Sequence, residues 1–203
     1  MKKLILASSS QSRLDILKKL NIVPNEIIAP DVDETPLKKE KGHLLSKRLA
    51  KIKAFKVLEI VERDIVNNLR MNANDTLILS GDTVAVCRGV IMEKAVSNED
   101  VKRYLKLSSG RSVRVYTSFC LIDIKSKKFA LKTVETRLKC KCLTNKEIES
   151  YVILGDGIGK AGGFAISGFG ECFIEKIIGS YSAVMGIPSL QIMNCLNSFG
   201  FYQ

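Results

Sequence analysis

Thr76-Leu-Ile-Leu-Ser-Gly-Asp-Thr-Val-Ala-Val86 is the stretch on which the fold turns. Two apolar runs, residues 77–79 and 84–87, flank Gly81-Asp82, and each reads as a strand. Asp82 is then expected at the chain reversal between them. A charge in that position is costly unless it is paired, hydrogen-bonded or holding a metal ion. Strand ends are also common places for chemistry in α/β proteins. On this segment alone, an aspartate satisfied in a tight turn and a functional carboxylate both remain open.

Strand and helix patterns alternate on either side. Residues 2–7 read as a buried strand. Ser12 and Asp15 form an S-x-x-D pattern that predicts a helix start, with apolar Leu14, Ile16, Leu17 and Leu20 following. Residues 27–29 read as a short strand closed by Pro30, and 31–36 as an acidic loop. Residues 44–63 carry apolar positions at helical spacing, and 67–75 form a polar break. Downstream, 90–92 read as a strand, and Ser97-Asn-Glu-Asp100 opens a helix that ends near Ser109-Gly110. Residues 113–124 and 128–142 read as a hairpin, and Thr144-Asn-Lys-Glu147 as the capping box of a helix through Leu154. A glycine-rich stretch (155–170), a strand (172–177) and a last helix (188–198) complete the chain. Strand-helix units combined with a hairpin predict an α/β fold with a mixed sheet.

The chain of 203 residues is long enough for one large domain or two lobes around a shared cleft. At 46% hydrophobic residues it can bury a sizeable core, which excludes wholesale disorder. No run approaches the roughly 20 apolar residues that span a bilayer. The apolar part of residues 1–7 is too short for a signal peptide and is cut by Ser8-Ser-Ser-Gln-Ser-Arg13, so a cytoplasmic protein is expected. Six scattered cysteines without a CxxC pair, and a single histidine, argue for reduced structural thiols and against zinc. Cys140 and Cys142 fall on one side of a strand-like alternation. The net charge of +11 invites a nucleic-acid partner. However, the basic residues are dispersed, and no recognised nucleic-acid motif is present. A solvated lysine-rich surface fits, as does an electropositive pocket for a small polyanion such as a nucleotide.

The chemistry-bearing segments are few. Ala7-Ser-Ser-Ser-Gln-Ser-Arg13 joins a strand to a helix. Its hydroxyls, helix N–H groups and Arg13 suit phosphate oxygens, although serine capping with a surface arginine would look the same. Gly157-Ile-Gly-Lys-Ala-Gly162 is a formal GxGxxG. It lacks the preceding strand and following helix of a dinucleotide fingerprint. Lys160 is followed by Ala161, so the P-loop pattern is absent. His43, the only histidine, reads as a surface residue, which leaves no Ser-His-Asp arrangement. Chemistry therefore falls to carboxylates, lysines and a metal ion. Asp33, Glu34 and Asp82 are the best oxygen ligands for Mg2+ or Mn2+, and Lys53 and Lys94 are candidate phosphate cations.

In order and spacing, these segments resemble the Maf family of nucleoside triphosphate pyrophosphatases over nearly the whole chain. The residues that carry the resemblance run from Ala7-Ser-x-Ser-x-x-Arg13 through Asp33-Glu34, Arg48-Leu-Ala50, Lys53-Ala54, Asp82-Thr-Val84, Lys94, Leu107-Ser-x-Gly110 and Val115-Tyr-Thr117. They continue through Tyr151, Lys160-Ala-Gly162 and Gly168 to Gly179-Ser-Tyr-Ser182 and Gly186-Ile-Pro188. The resemblance implies an elongated, two-lobed α/β domain with a mixed, curved sheet, similar to the inosine triphosphate pyrophosphatases. It also implies hydrolysis of (d)NTPs, such as dTTP, UTP or modified nucleotides, to the monophosphate and pyrophosphate. A divalent cation, a homodimer, nucleotide-pool sanitation and a role in cell-division arrest are implied as well. No membrane or stable nucleic-acid partner is expected.

Within the resemblance, Asp82 would be the proton acceptor, with Glu34 and Asp82 as metal ligands. Ser8, Arg13, Lys53 and Lys94 would bind the triphosphate. Ser12, Thr83 and Ser167 would set specificity. The chain departs from the family pattern at Gln11, Ser12, Gly81, Ala95, Ser167 and Ala183, where Pro, Arg, Ala, Pro, Gln or Glu, and Asn are usual. These changes touch base reading more than the triphosphate grip. A non-catalytic nucleotide or nucleic-acid binding protein using the same basic cleft is the alternative reading.

Overall fold

A computed structural model describes residues 2–66 and 75–202. Most of the polar break expected at 67–75 lies outside the described residues. The central strand, β3 (Thr76–Cys87), runs unbroken through Asp82. The expected reversal there is therefore wrong. Antiparallel β5 (Ser112–Asp123) pairs with β3 continuously, from Leu77 opposite Asp123 to Val86 opposite Arg114. That ladder outweighs the weak strand preference of Gly81-Asp82.

Only the other edge of β3 is interrupted. Parallel β1 (Lys3–Ala7) covers it up to Ser80. Antiparallel β4 (Val90–Met92) covers it again from Ala85 to Cys87. Residues 81–84 lie between these two partners. The sheet is completed by β2 (Glu26–Ile27) beside β1, β6 (Phe129–Cys140) beside β5 and β7 (Ile174–Ile178) beside β6. It is mixed, as expected.

Among the described residues six α-helices pack around it: α1 (Gln11–Lys19), α2 (Gly42–Val66), α3 (Asn98–Ser108), α4 (Asn145–Leu154), α5 (Tyr181–Val184) and α6 (Ser189–Ser198). Along β3 the side chains alternate between faces. Leu77 and Leu79 join Ile16, Leu17, Ile192 and Leu196 from α1 and α6. Ile78 joins Ala54, Val57 and Val61 from α2. A further cluster around Val101, Leu105, Ile148 and Tyr151 from α3 and α4 covers Ala85, Val113, Val115 and Leu138. No helix among the described residues is long and apolar enough to cross a membrane.

The caps of α3 and α4 are as read. Ser97 accepts the Asp100 N–H, and Thr144 and Glu147 form the reciprocal box. The start of α1 is not. Ser10 is its N-cap, so Ser12 lies inside the first turn, and Asp15 accepts from the Gln11 side chain instead. Cys142 also differs from expectation. β6 ends at Cys140, so the two-residue alternation stops there; Cys140 is buried and Cys142 exposed. Burial pushes the Cys120 and Cys140 thiols up to about 12, which suits structural roles. His43 is exposed, as read.

Candidate active site

The interrupted edge of β3 is where the candidate residues gather. Even-numbered β3 side chains face α2, so Asp82 meets Lys53. Among the described residues, Lys53 is the one charged residue on the buried stripe of α2, which includes Leu49, Ala50, Ala54 and Val57. Lys53 Nζ donates to Asp82 Oδ1 at 2.6 Å, with both residues buried, at 6% and 5% exposure. The same ammonium lies 2.7 Å from Glu34 Oε1. Lys94, just after β4, reaches Glu34 Oε2 at 3.1 Å. Partial burial would raise the Glu34 pKa, but hydrogen bonds and charge from Lys53, then Lys94, hold it below the ordinary carboxylate value.

On the opposite face Arg13 joins three segments. Its Nε–H donates to the Gly186 carbonyl at 3.1 Å, Nη1 to Ser8 Oγ at 2.9 Å and Nη2 to Thr83 Oγ1 at 3.4 Å. Thr83 Oγ1 lies 3.2 Å from Thr117 Oγ1, which donates to the Ala183 carbonyl. A hydroxyl has one proton, so Thr83 donates to Thr117. Burial lowers the Arg13 pKa, and the charges of Asp82 and Glu34 work against that. Arg13 needs room: a Cβ on Gly81 would stand 3.1 Å from its Nε. Glycine at position 81 therefore complements the packing of this guanidinium.

Apart from Gly81, Thr117 and Ala183, these groups line one cavity of about 400 Å3. Ser8, Ser12, Arg13, Glu34, Lys53, Asp82, Thr83, Lys94 and Ser167, each named from the sequence, are on its wall. Asp33 is not. Its carboxylate is turned aside to accept the Thr35 N–H at 2.9 Å. Lys160, for which the sequence suggests no role, also lines the cavity. A bridge between Lys94 and Ala161 draws the two lysine-bearing segments together. An apolar wall, not expected from the sequence, is built by Val113, Val115, Leu138, Phe164 and Ile166. Period-two burial in β5 and β6 was the available signal, but it reads as ordinary core.

The donor set bears on the implied divalent cation. Among the described residues, no three acidic, histidine or cysteine side chains converge into a self-sufficient cage. Glu34 and Asp82 are nevertheless two hard-oxygen donors within reach of one ammonium nitrogen. Mg2+ is commonly held by one or two carboxylates while keeping waters and substrate phosphates. The residues fit an ion that completes its shell from a phosphorylated ligand.

Fold and site together define a mixed-sheet α/β protein with an acid-and-cation cleft suited to a phosphorylated ligand. The chain belongs to the Maf family: the model described as "Maf-like protein" matches residues 3–199. A "Nucleoside triphosphate pyrophosphatase" of Rickettsia akari is 42% identical over 200 residues, spanning 98% of this chain and 94% of that protein. One of the same name from Rickettsia felis is also 42% identical, spanning 98% and 93%. A solved HAM1 protein from Coxiella burnetii is similar with a TM-score of 0.41 and 14% identity, over 69% of this chain and 73% of that one. That likeness is too remote to bear on the site.

Proposed function

We propose that the cavity binds a nucleoside triphosphate and hydrolyses it between the α- and β-phosphorus. The observation that carries this reading is the convergence of Asp82, Lys53, Glu34 and Lys94 on one cavity, opposite the Ser8–Arg13 segment. The relatives named nucleoside triphosphate pyrophosphatase support it.

Asp82 accepts the proton of a water placed against the α-phosphorus. As the water oxygen bonds to that phosphorus, the bond to the bridging oxygen breaks, and pyrophosphate leaves with the electron pair. Lys53 and Lys94 offset the charge that develops on the departing half. Ser8, on the same wall, offers a hydroxyl to phosphate oxygens. Arg13 fixes Ser8, Thr83 and Gly186, and two of its five N–H donors remain outside these bonds. A divalent ion held by Glu34 and Asp82 would supply positive charge beside the scissile phosphates. The apolar wall suits a base, and Ser12, Thr83 and Ser167 set which base is favoured.

Hydrolysis in 18O-water across dTTP, UTP, CTP, GTP and modified nucleotides, with Mg2+ or Mn2+, tests the reading. The expected products are a monophosphate carrying the label and unlabelled pyrophosphate. A diphosphate with inorganic phosphate, label in the pyrophosphate, or tight binding without turnover would contradict it. The last result would instead favour a nucleotide-binding protein.

A further inference from the structure

We infer that Lys53, assisted by Lys94, is a built-in counter-cation that closes Glu34 and Asp82 to a free divalent ion until a triphosphate draws the ammonium groups away. The inference rests on the proposed reading of the cavity as a nucleoside triphosphate site. Three of the four oxygens on these two carboxylates face an ammonium: Asp82 Oδ1 at 2.6 Å, Glu34 Oε1 at 2.7 Å and Glu34 Oε2 at 3.1 Å. Lys53 cannot relax into bulk water. It is 6% exposed and held on the buried stripe of α2, with Ala50 and Ala54 beside it.

A dication and an ammonium repel strongly at such distances and compete for the same oxygens. Mg2+ gives up its own water reluctantly, which adds to the barrier against an ion arriving alone. A triphosphate changes both sides of this competition. Its phosphate oxygens offer Lys53 and Lys94 new anionic partners, and they complete the coordination shell of the metal. The carboxylates are released for the ion as the lysines turn to the phosphates. Metal and nucleotide then bind with positive coupling, and that coupling is reciprocal. In the absence of substrate the site keeps its acidic pair organised without an ion.

The test is Mn2+ binding in the absence of nucleotide, read by electron paramagnetic resonance of the free ion. Wild type is compared with Lys53→Met and Lys94→Gln, with folding checked by circular dichroism. Lys53→Met, which keeps the length and removes the charge, should bind Mn2+ alone roughly tenfold tighter or more. Lys94→Gln frees one Glu34 oxygen and should give a smaller gain in the same direction. Equal or weaker Mn2+ binding by folded Lys53→Met overturns the inference. Should that variant fail to fold, the exposed Lys94→Gln decides: tighter binding supports the inference, and unchanged or weaker binding overturns it. No hydrolysis enters this measurement, so its failure is separable from failure in the 18O experiment.

Discussion

Asp82 stands inside a twelve-residue strand and is 5% exposed. An isolated carboxylate there would be strongly disfavoured. Lys53, arriving from the adjacent helix, makes the position tenable, and a polar cavity then opens beside both. Both residues were legible in the sequence, Asp82 as a charge between apolar runs and Lys53 as a candidate phosphate cation. The turned-aside Asp33 was not. Choosing between adjacent carboxylates needs the loop's own hydrogen bonds, and Asp33 spends its bond on Thr35. Arg13 depends on backbone as much as on side chains. Gly186, whose carbonyl accepts from it, has φ +111, and a Cβ there would stand 3.1 Å from Arg13 Cγ. Gly186→Ala should therefore cost about 1–3 kcal/mol in stability. Urea unfolding should show the loss, and a midpoint equal to wild type would remove the strained-backbone argument.

At the scale of elements, regular signals were readable where local chemistry alone decides the structure. The Thr144 box is such a case. Glu147 Oε2 accepts from the Thr144 N–H at 2.8 Å, and Thr144 Oγ1 accepts from the Glu147 N–H at 3.2 Å. The S-x-x-D pattern at Ser12 looks similar in sequence, but α1 begins two residues earlier, and Ser12 faces the cavity instead. Thr144→Ala should thus cost about 1 kcal/mol, and Ser12→Ala no more than a few tenths. Equal losses in denaturant melts would mean that Ser12 caps after all. The continuity of β3 was illegible for another reason. Gly81-Asp82 reads locally as a break, whereas the strand is kept continuous by ten residue pairings with distant β5. Long-range pairing overrides a local preference of this size. The hairpin of β5 and β6 was readable because its two halves adjoin in sequence.

Across the whole molecule, acid should loosen the fold in a defined window. Glu34 is held below the ordinary 4.5 by its two lysines despite the opposing effect of burial. Asp123 is held below 3.8, with burial overcome by Lys2 and then Ser126. Glu147 is lowered to about 2 by the Lys141 hydrogen bond and then by the Thr144 N–H. Each folded value is depressed, so the unfolded chain binds more protons in acid, and stability rises with pH there. These contributions are complete above about pH 4.5 and fade as pH falls towards 2. The melting temperature should fall across that window and stay nearly flat just above it. A flat profile down to pH 2 would contradict the ion-pair assignments. Surface screening keeps the effect of each exposed pair small.

The central claim is also a matter of the whole molecule. The β1–α1 junction, the acidic loop, α2, the interrupted edge of β3 and the segments around Lys94 and Lys160 meet around one carboxylate. Turnover of a nucleoside triphosphate by Asp82→Asn, measured as pyrophosphate release beside wild type, tests this most directly. Removing the proton acceptor should lower kcat by roughly 10²- to 10⁴-fold, while binding of a non-hydrolysable α,β-methylene analogue is retained. Turnover by Asp82→Asn equal to that of an active wild type would contradict the account.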